Sequence, residues 1–233
     1  MKLTDQLVKV RGRRPAPRQR GPAPRRRGAS PGGDHSRDRV FAAGATAFAA
    51  YGFAGTSVDR IADAARLNKA MIYYHFQSKA GLYRDILRDM FGAVGARVNA
   101  VAASDLPPAD KLRAFVETFA AEAHARPHFP PIWFREVAEG GRHLDDATLG
   151  DMTGVVKALS SIIEEGVRAG AFRPTNPLLV HAAIVAPVLL FFASDGIRRR
   201  VERAGVRGAA SLTRDEVVAH VQRVALGLLE GRT

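Results

Sequence analysis

The stretch from Thr56 to Lys79, TSVDRIADAARLNKAMIYYHFQSK, leaves the chain little choice of local structure. Val58, Ile61 and Ala65 recur at three- and four-residue spacing, as the buried face of a helix does. A polar break from Arg66 to Asn68 interrupts them, and Ile72 and Phe76 resume the same period beyond it. Thr56 and Asp59 have capping-box spacing and predict a helix over Ser57 to Ala65, while Asn68 is well suited to cap the next one. The result is two short helices joined by a tight turn.

On the second of these helices, rotation decides which side chains face what. Ile72 and Phe76, four apart and apolar, face inward, which turns Ala70 and Tyr74 almost directly outward. Met71 and His75 flank that outer face on one side, Lys69 and Tyr73 on the other. A small residue, a cation and two phenols make an odd solvent face but suit a nucleic-acid groove.

The rest of the chain is helical in period, and no alternating strand pattern stands out. A first helix spans about Ser36 to Tyr51, with Phe41, Gly44, Phe48 and Tyr51 in phase, and Gly52 ends it. Ser78 is expected to cap a fourth helix reaching about Ala102, with Leu82, Ile86, Met90, Val94 and Val98 on its stripe. Further helices are predicted at about Ala109 to Ala125, Trp133 to Glu139, Asp145 to Ala169, Asn176 to Arg200, and from a capping box at Thr213 and Glu216 to Glu230. The fold class is all-α.

Charge separates the chain into unequal parts. The net charge is +12, and residues 1 to 30 supply nine of those charges, ten cations against Asp5. Residues 11 to 33 are Arg, Pro, Gly and Ala with almost no large apolar side chain, too little to offset the entropy of ordering, so a disordered tail is expected over 1 to 35. Such a tail either attracts phosphate without regard to sequence or is an inert extension. The absence of cysteine excludes disulfides and thiolate metal sites and suits a reducing cytoplasm. The basic N-terminus lacks the apolar core of a signal peptide, and the run from Leu178 to Ala193, broken by His181 and Pro187, falls short of the roughly 20 residues that span a bilayer. A cytoplasmic protein is expected.

Residues 39 to 83 resemble the N-terminal domain of the TetR/AcrR family of transcriptional regulators. The likeness rests on an Arg-led first helix ending at Phe48, Gly52 and Phe53, then T-S-V-x-x-I-A, then I-Y-Y-H-F, then S-K-x-x-L-Y. It implies a three-helix DNA-binding domain with a helix-turn-helix over 36 to 82, and a larger helical effector-binding and dimerisation domain over 83 to 233. By this resemblance Thr56, Ser57, Tyr73, Tyr74, His75 and Lys79 would hold DNA phosphates. Base reading would fall to Asn68, Lys69, Ala70 and Met71 on the exposed start of the third helix, with Arg60 as a further candidate. The family's last two long helices pair in a homodimer, which implies an inverted-repeat operator in double-stranded DNA. Its effector pocket implies a small apolar or aromatic ligand, for which Phe115, Phe119, Phe129, Trp133, Phe134, Met152 and Phe191 are candidate lining residues. No cofactor is implied.

Two positions depart from the family pattern. Where its turn has glycine this chain has Ala65-Arg66-Leu67, and a left-handed Arg66 would cost about 1 kcal/mol. Gly44 stands where alanine is common. Elsewhere, His124 and His128 have the spacing of a metal pair, but Pro127 interrupts their helix, and no metal site is expected. No set of nucleophile and base, phosphate loop or paired carboxylates is discernible, so the chain is not expected to be an enzyme. A packaging or membrane-surface protein driven by its Arg-rich tail is the rival reading.

Deleting residues 1 to 33 should weaken binding to every duplex alike and flatten its salt dependence while leaving sequence preference intact. Salt titrations of both proteins check this, and an unchanged slope marks the tail as inert.

Overall fold

The computed structural model describes residues 31–231, so most of the basic tail lies outside the described residues. Ten helices and no strand are found within them. A first group comprises α1 (Pro31–Gly55), α2 (Val58–Ala65) and α3 (Lys69–Phe76). The remainder comprises α4 (Lys79–Ala102), α5 (Pro108–Ala125), α6 (Phe129–Ala138), α7 (Asp146–Arg168), α8 (Pro177–Ala193), α9 (Asp195–Arg203) and α10 (Arg214–Glu230). The first helix begins at Pro31, so residues assigned by composition to the tail belong to it.

One continuous core runs through both groups. Val40, Phe48, Ile61, Ile72 and Phe76 meet Leu82, Tyr83 and Ile86 of α4, and the same cluster continues through Phe115, Leu159, Ile184 and Leu229. The boundary expected after residue 82 therefore falls inside a single helix. Close approach of α1 to α4 explains Gly44, whose missing Cβ would lie 2.7 Å from a Leu82 methyl. Among the described residues three charged side chains are buried, and each is paired. Lys111 meets Glu165 at 2.6 Å, Glu122 is held by Arg97 at 2.8 Å and by Arg126, and Glu136 accepts from the Tyr83 hydroxyl at 2.7 Å.

The turns between α1 and α4 differ in detail from the sequence expectation. Gly52, at φ +71°, breaks α1 as expected. The cap of α2 is Ser57, whose Oγ accepts from the Arg60 N–H at 3.2 Å, and not Thr56. Thr56 is buried, its Oγ lying 2.7 Å from the Gly52 carbonyl and 3.1 Å from that of Ala47. Arg66 does adopt the left-handed conformation, at φ 51° and ψ 45°. Arg39 offsets part of the strain, because its Nη2 donates to the Ala65 and Arg66 carbonyls at 2.6 and 3.2 Å where the end of α2 is electronegative.

A second strained turn had no expectation attached to it. Gln77 has φ 64°, Ser78 caps α4 by accepting from the Gly81 N–H at 2.9 Å, and a Cβ on Gly81 would stand 2.0 Å from the Phe76 carbonyl oxygen. Only glycine fits there, because α3 ends against the first turn of α4.

Two helix boundaries also move. The sixth helix starts at Phe129 rather than Trp133, since Pro130 and Pro131 occupy its first turn, where an N–H has no partner to lose. The predicted eighth helix is two, bent by 67° between α8 and α9. Arg198 folds back at the bend, donating to the Phe191 carbonyl and to Ser194 Oγ at 3.3 Å, with its guanidinium 4.1 Å from the Phe191 ring centre. No single helix among the described residues is long and apolar enough to cross a membrane.

Replacing Arg66 with glycine should raise unfolding stability by about 1 kcal/mol, since the carbonyls held by Arg39 remain. Urea denaturation of Arg66→Gly beside the parent chain tests this. A lower midpoint would mean that the Arg66 side chain contributes more than its backbone costs.

Candidate nucleic-acid interface

The third helix is anchored by Ile72 and Phe76, both buried, and this fixes its opposite face. Tyr74 is 77% exposed and Tyr73 51%, with Asn68, Lys69 and Ala70 also exposed and Met71 and His75 half-buried at the edges. The structure thus brings together on one surface the side chains that the helical period places there. His75 is held from behind, its Nε2 2.7 Å from Ser36 Oγ, and its ring stands edge-on to Tyr74 at 4.9 Å.

The polar atoms on this surface are already partly engaged. Asn68 caps the helix, its Oδ1 accepting from the Ala70 N–H at 2.9 Å, which withdraws that oxygen from the paired contact that reading an adenine requires. Lys69 forms an ion pair with Asp59 of α2, and the Asp59 hydrogen bond raises its pKa above the ordinary value. Both partners are more than half exposed, so the pair is weak and readily exchanged for a stronger anion.

Two residues expected to hold phosphate make contacts within the framework in this structure. Thr56 turns its hydroxyl into the corner between α1 and α2, as described above. Lys79 crosses the same corner, donating from Nζ to the carbonyls of Phe53 and Thr56, both at 2.9 Å, with the ammonium 4.3 Å from the Phe53 ring centre. Arg60 stands over the Tyr51 ring, its Cζ 3.9 Å from the ring centre, and donates to the Gly55 carbonyl at 3.1 Å. Sequence reasoning missed Asp59 as the partner of Lys69 and Arg39 as the support of the turn. For Arg39 the only available signal was a left-handed arginine in need of compensation.

A separate apolar cavity of about 290 Å³ opens between α4, α5, α6, α7 and α8. Phe119, Phe129, Trp133 and Met152 line it as expected. The other three candidates do not. Phe115 is fully buried in the core, Phe134 lies on the outer side of α6 at 37% exposure, and Phe191 belongs to an open groove along α8 and α10. Phe91, Leu149, Leu178, His181 and Leu189 are among the other lining residues and were missed, because on the sequence they read only as helix stripe or helix surface. Leu179, Leu190 and Val224 expose further apolar surface on α8 and α10, at 66%, 57% and 40%.

The sixth helix connects this cavity to the first three. Its Phe129 and Trp133 face the cavity, while Arg135 donates from Nη2 to the Ala49 and Ala50 carbonyls of α1 at 3.2 and 3.0 Å. Glu136, fully buried, binds Tyr83 Oη and, at 2.8 Å, His143 Nδ1. Burial and then the Glu136 hydrogen bond push the Tyr83 hydroxyl pKa far upward, so it stays a donor. Glu136, Glu139 and His143 bring three ligand atoms within 4.8 Å of one another, but Tyr83 and His143 already satisfy Glu136.

Comparison with known proteins gives two family matches. Residues 40–86 match the model of bacterial regulatory proteins of the tetR family, and residues 108–201 match a tetracyclin repressor-like C-terminal domain. The HTH-type transcriptional repressor KstR2 of Mycolicibacterium smegmatis is 30% identical over 144 residues, 59% of this chain and 68% of that protein. The HTH-type transcriptional regulator RutR of Escherichia coli is 25% identical over 138 residues, and the match spans 65% of its length, just under two thirds. The HTH-type transcriptional repressor NicS of Pseudomonas putida is 28% identical over 165 residues, 68% of this chain and 76% of that protein. Among solved structures, a tetR-family regulatory protein from Rhodococcus RHA1 superposes with a TM-score of 0.67 at 21% identity, over 83% of this chain and 96% of that one. PfmR of Thermus thermophilus superposes at 0.64 and 22% identity, over 82% and 95%.

Freeing Lys69 from its carboxylate partner should strengthen contact with any phosphate. Asp59→Asn is expected to raise affinity for duplexes of random sequence by about threefold and to steepen the salt dependence by close to one released ion. Fluorescence anisotropy across a salt series measures both, and an unchanged slope would leave Lys69 outside the interface.

Proposed function

Because the chain belongs to the TetR family of bacterial transcriptional regulators, we propose that it is a ligand-responsive repressor that binds an inverted-repeat operator as a homodimer. The observation that carries this reading is the outer face of α3, where Lys69, Ala70, Tyr73 and Tyr74 project together, opposite a fully buried anchor. In this reading Lys69, Ala70 and Met71 meet base edges, and Tyr73, Tyr74, His75 and Ser57 donate to phosphates on either side. Thr56 and Lys79 act behind them, holding the corner from which α2 and α3 project. Arg60 is a phosphate ligand rather than a base reader, since stacking on Tyr51 keeps it at the margin.

Dimerisation is proposed through α8 and α10, which pack on each other and together leave Leu179, Leu190 and Val224 exposed. Two-fold pairing there would present two copies of α3 to successive major grooves, which is why the operator is read as an inverted repeat. The apolar cavity is the effector site of this reading, and α6 is its link to the DNA-facing helices, through Arg135 to α1 and through Glu136 to Tyr83 at the start of α4. A ligand that binds better to one setting of α6 shifts the population toward it, and DNA favours the other. No catalytic step enters this function, and its place is the cytoplasm, where the DNA is. Two of the relatives carry the name of repressor, which supports repression as the output.

The double variant Lys69→Ala, Tyr74→Ala should keep its helicity and unfolding midpoint, because both side chains are exposed, yet lose operator preference by about a hundredfold. Competition between the chain's own upstream DNA and random duplex provides the measurement. Unchanged preference in the folded variant would remove α3 from the reading.

A further inference from the structure

Resting on the effector site just described, we propose that the ligand is an uncharged, compact ring compound with one hydroxyl or carbonyl group, and that His181 is the residue that binds that group. The cavity carries no Asp, Glu, Lys or Arg on its lining. Its walls are Phe119, Phe129, Trp133 and Met152 with aliphatic neighbours, and a charged ligand entering it would lose its water and find no counter-ion. Only two lining side chains have hydrogen-bonding groups besides the Trp133 indole N–H. The Thr153 hydroxyl donates its proton to the Leu149 carbonyl at 2.7 Å, so towards a ligand it can only accept. The His181 ring makes no hydrogen bond among the described residues.

Burial lowers the pKa of His181, so at neutral pH the ring is uncharged and offers one donor and one acceptor. That pair matches a hydroxyl, which can take either role, or a carbonyl, which needs the donor. Size sets the rest. An apolar cavity of roughly 150 Å³ holds benzene. The present 290 Å³ therefore suits about two rings, or one ring with branched substituents. Leu149 and Leu178, 43% and 60% exposed at the starts of α7 and α8, form an apolar rim through which such a molecule would pass.

Trp133 is the only tryptophan in the chain and lines the cavity, so its emission reports occupancy without a label. The full chain is titrated with menthol, with p-menthane, which lacks the hydroxyl, and with menthane carboxylate, which replaces it by a charge. All three are transparent where tryptophan absorbs and emits. Menthol should shift Trp133 emission saturably, and menthane carboxylate should not at concentrations about a hundredfold higher. His181→Leu should weaken menthol about tenfold while leaving p-menthane unchanged or tighter, and His181→Gln should restore part of the loss. Circular dichroism establishes that both variants fold, and if His181→Leu does not, the comparison of the three probes on the parent chain decides alone. The proposal is overturned if the carboxylate binds as tightly as menthol, if menthol produces no saturable change, or if a folded His181→Leu binds menthol as the parent does. Operator release is measured separately. Menthol that binds without releasing DNA supports the ligand class and counts against ligand-responsive repression. Release driven by a charged ligand alone counts against the class and leaves the repression reading standing.

Discussion

The arrangement depends on the burial of one helix along nearly its whole length. Leu82, Tyr83, Ile86, Leu87, Met90, Phe91, Val94 and Val98 of α4 are all removed from solvent, and burying each large side chain contributes about 1.5–3 kcal/mol. The first half of that stripe is the floor on which α1 and α3 rest, and the second half packs against α5 and α7 and supplies Phe91 and Val94 to the cavity. The outward face of α3 is therefore defined relative to the cavity by a shared helix rather than by a linker. Gly44 and Gly81 mark the two places where this closeness leaves no room for a side chain without displacement.

Much of this was legible in the sequence because helical period is a statement about faces, and faces are what burial selects. Ile72 with Phe76 and Val58 with Ile61 placed α3 and α2, and the left-handed conformation of Arg66 followed from a missing glycine. The partner of each polar atom was not legible. Thr56 and Ser57 both have hydroxyls at the right distance from a helix start, and only packing decides that Thr56 goes inside and Ser57 caps. Lys79 likewise has the charge for phosphate but donates to two backbone carbonyls at the corner it spans. Gln77 carries no compositional sign of its positive φ, which is imposed by the close contact of α3 with α4. The cavity was half legible for a related reason, since aromatic residues were noticed while the aliphatic and imidazole sides of the same space were not.

These polar engagements alter what the positive charge of the chain can do. The total of +12 suggests an abundance of phosphate ligands, yet within the described residues several cations close backbone gaps or meet carboxylates. Arg39 and Arg135 cap the ends of α2 and α1, Lys79 ties the corner between them, and Arg37 pairs with Asp85 at 3.2 Å. The exposed surface of α3 is correspondingly modest in charge and rich in phenol and small apolar groups. In the proposed reading, contact there would rest on hydroxyls and shape more than on Coulomb attraction, and the choice among sequences would fall to Lys69, Ala70 and Met71.

The same economy constrains how the cavity could influence α3. Of the hydrogen bonds from α6 to the front of the molecule, the one between Glu136 and Tyr83 is buried, and a buried polar atom that loses its partner costs about 1–3 kcal/mol. That bond cannot stretch gradually if α6 moves, whereas water can replace the Arg135 contact to Ala50, which is exposed. The buried bond must hold or be exchanged for another partner. Phe53, 4.4 Å from His143 and 5.2 Å from Tyr83, packs the α1–α2 corner against these two residues, so an exchange there would reach the Lys79 clamp directly. In the proposed reading a ligand pressing on Trp133 would act on a choice between discrete settings of α6, and its effect would be bounded by the difference in its affinity for them.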